Sequence, residues 1–221
     1  MESHADTRTG TATGSAAGGG LKPQPRGKAQ AAKSERMRAA ILDEAVRTLS
    51  EMGYHATSIK KIAAQGGFSI GAIQHHFRSK EALMVAVVEK ALLRAERFFE
   101  RFGAGSGDMG AMVRESWAKQ INSPWYMAML EILVAARTDR TLRERVAPAL
   151  ETYARETETR MARLVSGGKP GSSEDKAAFL LTVSRCMMGG FLVQDALAMP
   201  GTQTASFIER WGQFLNDALK E

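Results

Sequence analysis

From Met37 onward the large apolar residues return every three or four positions, and the runs they form are cut by glycine and proline clusters. Met37, Ile41, Ala45, Leu49 and Met52 make one such run, with Ser34 as its N-cap and Gly53 as its stop. That spacing puts one face of a helix against a core, and no stretch alternates with the two-residue period of a strand. The same reading places short helices over 59–65 and 69–76, a longer one from the cap Ser79 to Arg101, and others over 108–121 and from Ser123. Another covers 142–165, where Pro148 is expected to break or kink the helix. Two more cover 172–199 and 204–219. The expected fold is all-α, with about nine helices. An N-terminal three-helix module over 34–80 precedes a larger helical domain over 81–221. Residues 1–33, rich in Gly, Ala, Thr and Ser, cannot bury enough surface to offset ordering entropy and are expected to be a disordered tail.

Charge is distributed unevenly along the chain. The first 33 residues hold five cations and two anions, residues 34–101 eleven and eight, and the rest fourteen of each. The net +6 therefore sits in the N-terminal part, which points to a polyanion partner for that part. Cys186 is the only cysteine, so no disulfide or cysteine-rich metal site can form within the chain. No apolar run reaches the roughly 18 residues needed to cross a bilayer, and the polar N-terminus lacks a signal-peptide core. A cytoplasmic protein with no membrane partner is expected.

The most informative stretch is Thr57–Leu83, TSIKKIAAQGGFSIGAIQHHFRSKEAL. Two short helices hinged at Gly66-Gly67 have the geometry of a helix-turn-helix that reads double-stranded DNA. Ile59, Ile62 and Ala63 can pack on Phe68, Ile73 and Phe77. The outward positions of the second helix, Ser69, Ile70, Gly71, Gln74 and His75, carry no anion and are flanked by Lys60, Lys61, Arg78 and Lys80. Lys80 lies in the first turn of its helix, where the dipole disfavours a cation by a few tenths of a kcal/mol. A bound phosphate would reverse that penalty; a lysine tolerating a small cost is the plainer alternative.

The run also resembles the DNA-binding domain of TetR/AcrR-type regulators. The resemblance is carried by Thr57-Ser58-Ile59, Ile62-Ala63, Gly67-Phe68-Ser69, Gly71, Ile73, His76-Phe77 and Ser79-Lys80-Glu81 with Leu83, preceded by Met52-Gly53-Tyr54. It implies that Thr57 or Ser58 bonds a phosphate, that Ser69, Ile70, Gly71 and Gln74 face the major groove, and that His75, His76 and Lys80 grip the backbone. Two departures stand out: Gln74 where family members commonly carry tyrosine, and Gly66 where alanine is common. The implied function is a ligand-responsive repressor bound as a homodimer to a palindromic operator.

All four histidines precede residue 77, so the C-terminal domain has no histidine base for Cys186. His75 and His76 point about 100° apart on a helix, which suits no metal, and no cofactor is implied. Enzymatic activity is not expected. In the larger domain Trp117, Trp125, Tyr126, Met129, Tyr153 and Phe179 are candidates to line an apolar cavity for a small-molecule effector, with core packing the alternative for each. Met188, Phe191, Phe207, Trp211 and Phe214 on the last two helices are candidates for a homodimer surface, with burial inside one subunit the alternative. A non-specific DNA binder, or a helical carrier or enzyme with a vestigial head, would also fit parts of this pattern.

Overall fold

The computed structural model describes residues 26–103, 108–166, 172–201 and 203–218. Among them lie nine helices and no strand: α1 (Arg26–Ala56), α2 (Ile59–Gly66), α3 (Ile70–His76), α4 (Lys80–Gly103), α5 (Met109–Ser116), α6 (Pro124–Ala136), α7 (Arg140–Ser166), α8 (Ser172–Ala196) and α9 (Thr204–Ala218), with a π turn over Trp117–Ile121 between α5 and α6. Of the described residues, those up to Glu35 fall in one unit and those from Arg36 onward in another. The all-α expectation holds, and the caps follow simple chemistry. Ser58, Ser69, Asp108 and Ser123 each accept a backbone N–H three residues on. Pro124 opens α6, where its missing N–H costs nothing.

Two expectations need correction. Helix begins at Arg26, not Ser34, so residues 26–33 of the expected disordered tail are helical. Burial was the wrong criterion there: Lys28-Ala29-Gln30-Ala31-Ala32-Lys33 is built of strong helix formers and stays helical while exposed. Residues 1–25 of that tail, and Leu219 at the far end, lie outside the described residues. Pro148 does not divide α7, which runs unbroken through it; the loss of one backbone donor is tolerated in a helix of 27 residues that packs on the core on both sides of the proline, through Leu142 and Val146 before it and Leu150 and Tyr153 after it.

One core runs through the N-terminal module and into the larger domain, crossing the expected division between residues 80 and 81. Ile41, Leu42 and Leu49 of α1, Ile62 of α2, Ile73 of α3, Leu83 and Met84 of α4, Ile132 of α6 and Leu142 of α7 are all at most 2% exposed. Each such side chain contributes about 1.5–3 kcal/mol by leaving water. A second core joins α5, the π turn, α8 and α9 through Val113, Ile121, Leu180, Met188, Leu192, Ile208 and Leu215, with Tyr126, Met127 and Leu130 of α6 packed against it. Here α5 and α9 cross almost backbone to backbone. A Cβ built on Gly212 would lie 2.8 Å from Gly110 Cα. Asn216 fastens the crossing: its Oδ1 accepts from the Met109 amide at 2.9 Å, and its Nδ2 donates to Asp108 Oδ1 at 2.9 Å.

Candidate DNA interface and effector cavity

The turn between α2 and α3 is set by Gly67, which takes φ +68°, a left-handed conformation that costs an L side chain about 1–2 kcal/mol. Buried Ile62, Ala63, Ile73 and Phe77 lock the two helices against α1. Gly66 also has a reason. A methyl there would lie 2.3 Å from the Phe68 ring, so the glycine leaves room for Phe68 to fold back over the helix end.

Locked from behind, α3 presents Ser69, Ile70, Gly71, Gln74 and His75 to solvent, with Lys60, Lys61 and Arg78 exposed around them. Ile70 is a large apolar side chain left 42% exposed on a seven-residue helix. Gly71 has neither a positive φ nor any atom within 4 Å of a built Cβ, so the fold does not require glycine there. The face offers a carboxamide able to read adenine, an apolar group suited to a thymine methyl, and an open backbone flanked by cations.

Lys80 differs from its expected place. Its Nζ donates to the Tyr54 carbonyl at 2.7 Å and sits 3.8 Å from the centre of the Tyr54 ring. The ammonium turns away from the positive end of α4 to the Tyr54 carbonyl, which lies just past the break that Gly53 (φ 75°, ψ 172°) makes near the end of α1. Burial holds its pKa below the usual lysine value. The dipole penalty inferred from sequence is thus met inside the fold. Thr57 is likewise internal: 2% exposed, its hydroxyl donates to the Gly53 carbonyl at 2.7 Å. Of the pair Thr57 and Ser58, only Ser58 retains partial exposure. His76 is half-buried, its ring edge-on to His75 at 5.2 Å.

Beyond the module, α4, α6, α7 and α8 enclose a cavity of about 600 Å³. Leu92, Phe99, Met129, Leu130, Leu150 and Leu181 give most of its wall. Its polar groups are few: Tyr126, Tyr153, Thr157, Gln120, Arg94 and Arg185 among them. Burial pushes both phenols above the ordinary tyrosine value, and the Arg185 guanidinium lies near enough to both to act partly against that rise. Arg94 stacks over the Trp125 ring at 5.3 Å.

Residues 41–87 match the family model described as bacterial regulatory proteins, tetR family. The helix-turn-helix module of this chain is thus of the tetR family. An HTH-type transcriptional regulator of Mycobacterium tuberculosis is 26% identical over 180 residues, covering 78% of this chain and 90% of the relative. The HTH-type transcriptional repressor AcnR of Corynebacterium diphtheriae is 31% identical over 108 residues, 49% of this chain and 54% of the relative. Among solved structures, GusR of Salmonella enterica superposes with a TM-score of 0.63 at 23% identity, covering 84% of this chain and 96% of that one. A transcriptional regulator of Saccharomonospora viridis, solved in complex with choline, superposes with a TM-score of 0.59 at 18% identity over 85% and 97% of the two chains. The structural likenesses establish the fold.

The sequence candidates for the cavity separate. Trp125, Tyr126, Met129 and Tyr153 line it. Trp117 does not; it packs on the second core beside the π turn, whose bond from Asn122 N to Trp117 O fixes its backbone. Phe179 does not either, being 65% exposed on α8. The arginines were missed. Arg185 is the one charge in the apolar run Phe179–Val193, a signal the sequence did carry.

The candidate dimer residues divide as well. Met188 is 6% exposed and points into the second core and the cavity wall, so it is no part of an outer face. Trp211 is half-buried, its Nε1 donating to Ser184 Oγ at 2.7 Å while its ring stacks on Phe214. Phe191, also half-buried, stacks on Phe207 at 5.6 Å. Phe207 and Phe214 remain 45% and 51% exposed, and Val193, Leu197 and Met199 near the end of α8 extend the apolar surface. No helix among the described residues is long and apolar enough to cross a membrane.

Proposed function

We propose that this regulator is a cytoplasmic, ligand-responsive repressor that binds a palindromic operator as a homodimer. The observation that carries the reading is that the same helices wall the cavity and brace the DNA-reading module. Helix α4 contributes Leu83, Met84 and Val87 to the core behind α2 and α3, and Leu92, Arg94 and Phe99 to the cavity. Helix α6 contributes Trp125 and Met129 to the cavity, while its Glu131 carboxylate accepts the Tyr54 amide at 3.2 Å at the end of α1. A ligand that prefers one arrangement of α4 and α6 therefore changes operator affinity by its difference in affinity between the two states.

Ser69, Ile70, Gly71 and Gln74 would enter the major groove; Ser58, His75, His76 and the unengaged N–H bonds of Lys80 would bind phosphates. Repression is supported by the repressor relative. Response to a small molecule is supported by the cavity and by the choline-bound neighbour. Dimerisation is supported by the aromatic surface of α8 and α9, which is unusual for a lone subunit.

The test is a mobility-shift titration with DNA fragments selected by the purified protein. Specific retardation at moderate salt is expected, with Gln74→Ala changing base preference at one position of each half-site by about 1–3 kcal/mol. If no fragment binds more tightly than random DNA, the proposal fails.

A further inference from the structure

The charges around the cavity are one-sided. Arg94 and Arg185 are among its lining residues, and no lining residue is acidic. Neither guanidinium forms an ion pair among the described residues, in contrast to Arg47, Arg114, Arg140 and Arg160, which do. Glu96 lies outside the lining and faces Glu156, and burial together with that neighbour raises its pKa, which weakens its claim as a counter-ion.

Arg185 is also placed within electrostatic reach of two phenols, those of Tyr126 and Tyr153. A guanidinium offers a planar fork of donors that matches a carboxylate, and phenol O–H groups beside it can donate to the same oxygens. Both arginines are exposed residues that line the cavity, and the lining also includes an aliphatic and aromatic wall: Leu92, Phe99, Leu130, Leu150 and Leu181. An organic cation would meet aromatic faces in such a pocket, but it would also meet two guanidinium groups with no carboxylate among the lining residues to offset them.

We infer that the effector is an amphipathic carboxylate, an apolar body of medium-chain or aromatic size whose anionic head is held by Arg185 and Arg94 with the Tyr126 and Tyr153 hydroxyls. This rests on the regulatory reading only for the word effector; binding itself is independent of DNA.

The experiment is isothermal titration of the full-length protein with decanoate, decanol, decylammonium and choline, each below its aggregation limit. Decanoate is expected to bind at least about tenfold more tightly than decanol, the size of one charge-assisted hydrogen bond, and decylammonium and choline more weakly than decanol. In Arg185→Gln/Arg94→Gln the advantage of decanoate should vanish while decanol binding stays within about twofold, decanol serving also as the check that the pocket remains folded. Equal or tighter binding of either cation, a preference for decanoate that survives the double variant, or no binding of any probe overturns the assignment. A mobility shift with and without decanoate separates the two readings. Binding without release of DNA leaves the carboxylate site standing and removes induction.

Discussion

Replacing Gly212 with alanine tests whether the α5–α9 crossing is as close as it looks. The added methyl would stand 2.8 Å from Gly110 Cα and 3.3 Å from Gly110 O. Non-bonded carbons rest at about 3.5–4.0 Å, so the two backbones must separate by about 0.7 Å or more. The obstructing atoms belong to the main chain, and no rotamer change relieves them. Overpacking of this kind costs about 1–3 kcal/mol, while the better helix propensity of alanine returns at most about 1 kcal/mol. A net loss of roughly 1–2 kcal/mol lowers Tm by about 2–8 °C for a chain of this size. Differential scanning calorimetry measures it. Gly71→Ala is the control: open space surrounds that Cβ, so the same propensity gain should appear unopposed, as a small rise in Tm. A Gly212→Ala protein as stable as the parent, alongside a stabilised Gly71→Ala, would refute the packing argument.

Gly71→Ala should also weaken operator binding in a mobility-shift assay despite its greater stability, since the methyl intrudes where DNA is proposed to approach. Asp108 caps α5 and accepts from Asn216 and the Ala111 amide, which hold its carboxyl below the ordinary aspartate range. Its contribution is therefore complete above the usual pKa and disappears as pH falls through the lowered one; the Tm gap between parent and Asp108→Asn should close in strong acid, and a gap constant with pH would contradict this. Glu131→Ala should cost about 1.5–3 kcal/mol in denaturant unfolding and blunt any effect of a bound ligand on DNA affinity, because it cuts the bond from α6 to the Tyr54 amide. Val193→Glu/Phe214→Glu should give monomers in sedimentation equilibrium with an unchanged far-ultraviolet spectrum, and a dimer that persists would move the interface elsewhere.

Local rules accounted for much of this protein before any coordinates. Periodicity, the cap Ser79, the opening of α6 at Ser123 and the Gly66-Gly67 hinge depend on neighbours within about four residues, so the helices and the reading turn could be located from the sequence. The exposure of Gln74 and Ser69 followed from the same helical geometry. What escaped depended on partners distant along the chain. Whether Thr57 and Lys80 faced solvent turned on the carbonyls of Gly53 and Tyr54 at the end of α1. Whether Trp117 or Trp125 reached the cavity turned on a π turn and on which helix lay opposite. Met188 and Phe191 sit three residues apart, about 60° around one helix, yet the first is core and the second stacks beneath an exposed phenylalanine. Periodicity says that a face is apolar; only the packing of α4, α6, α7, α8 and α9 says what that face meets, because burial is a property of the assembled surfaces and not of the segment that carries them.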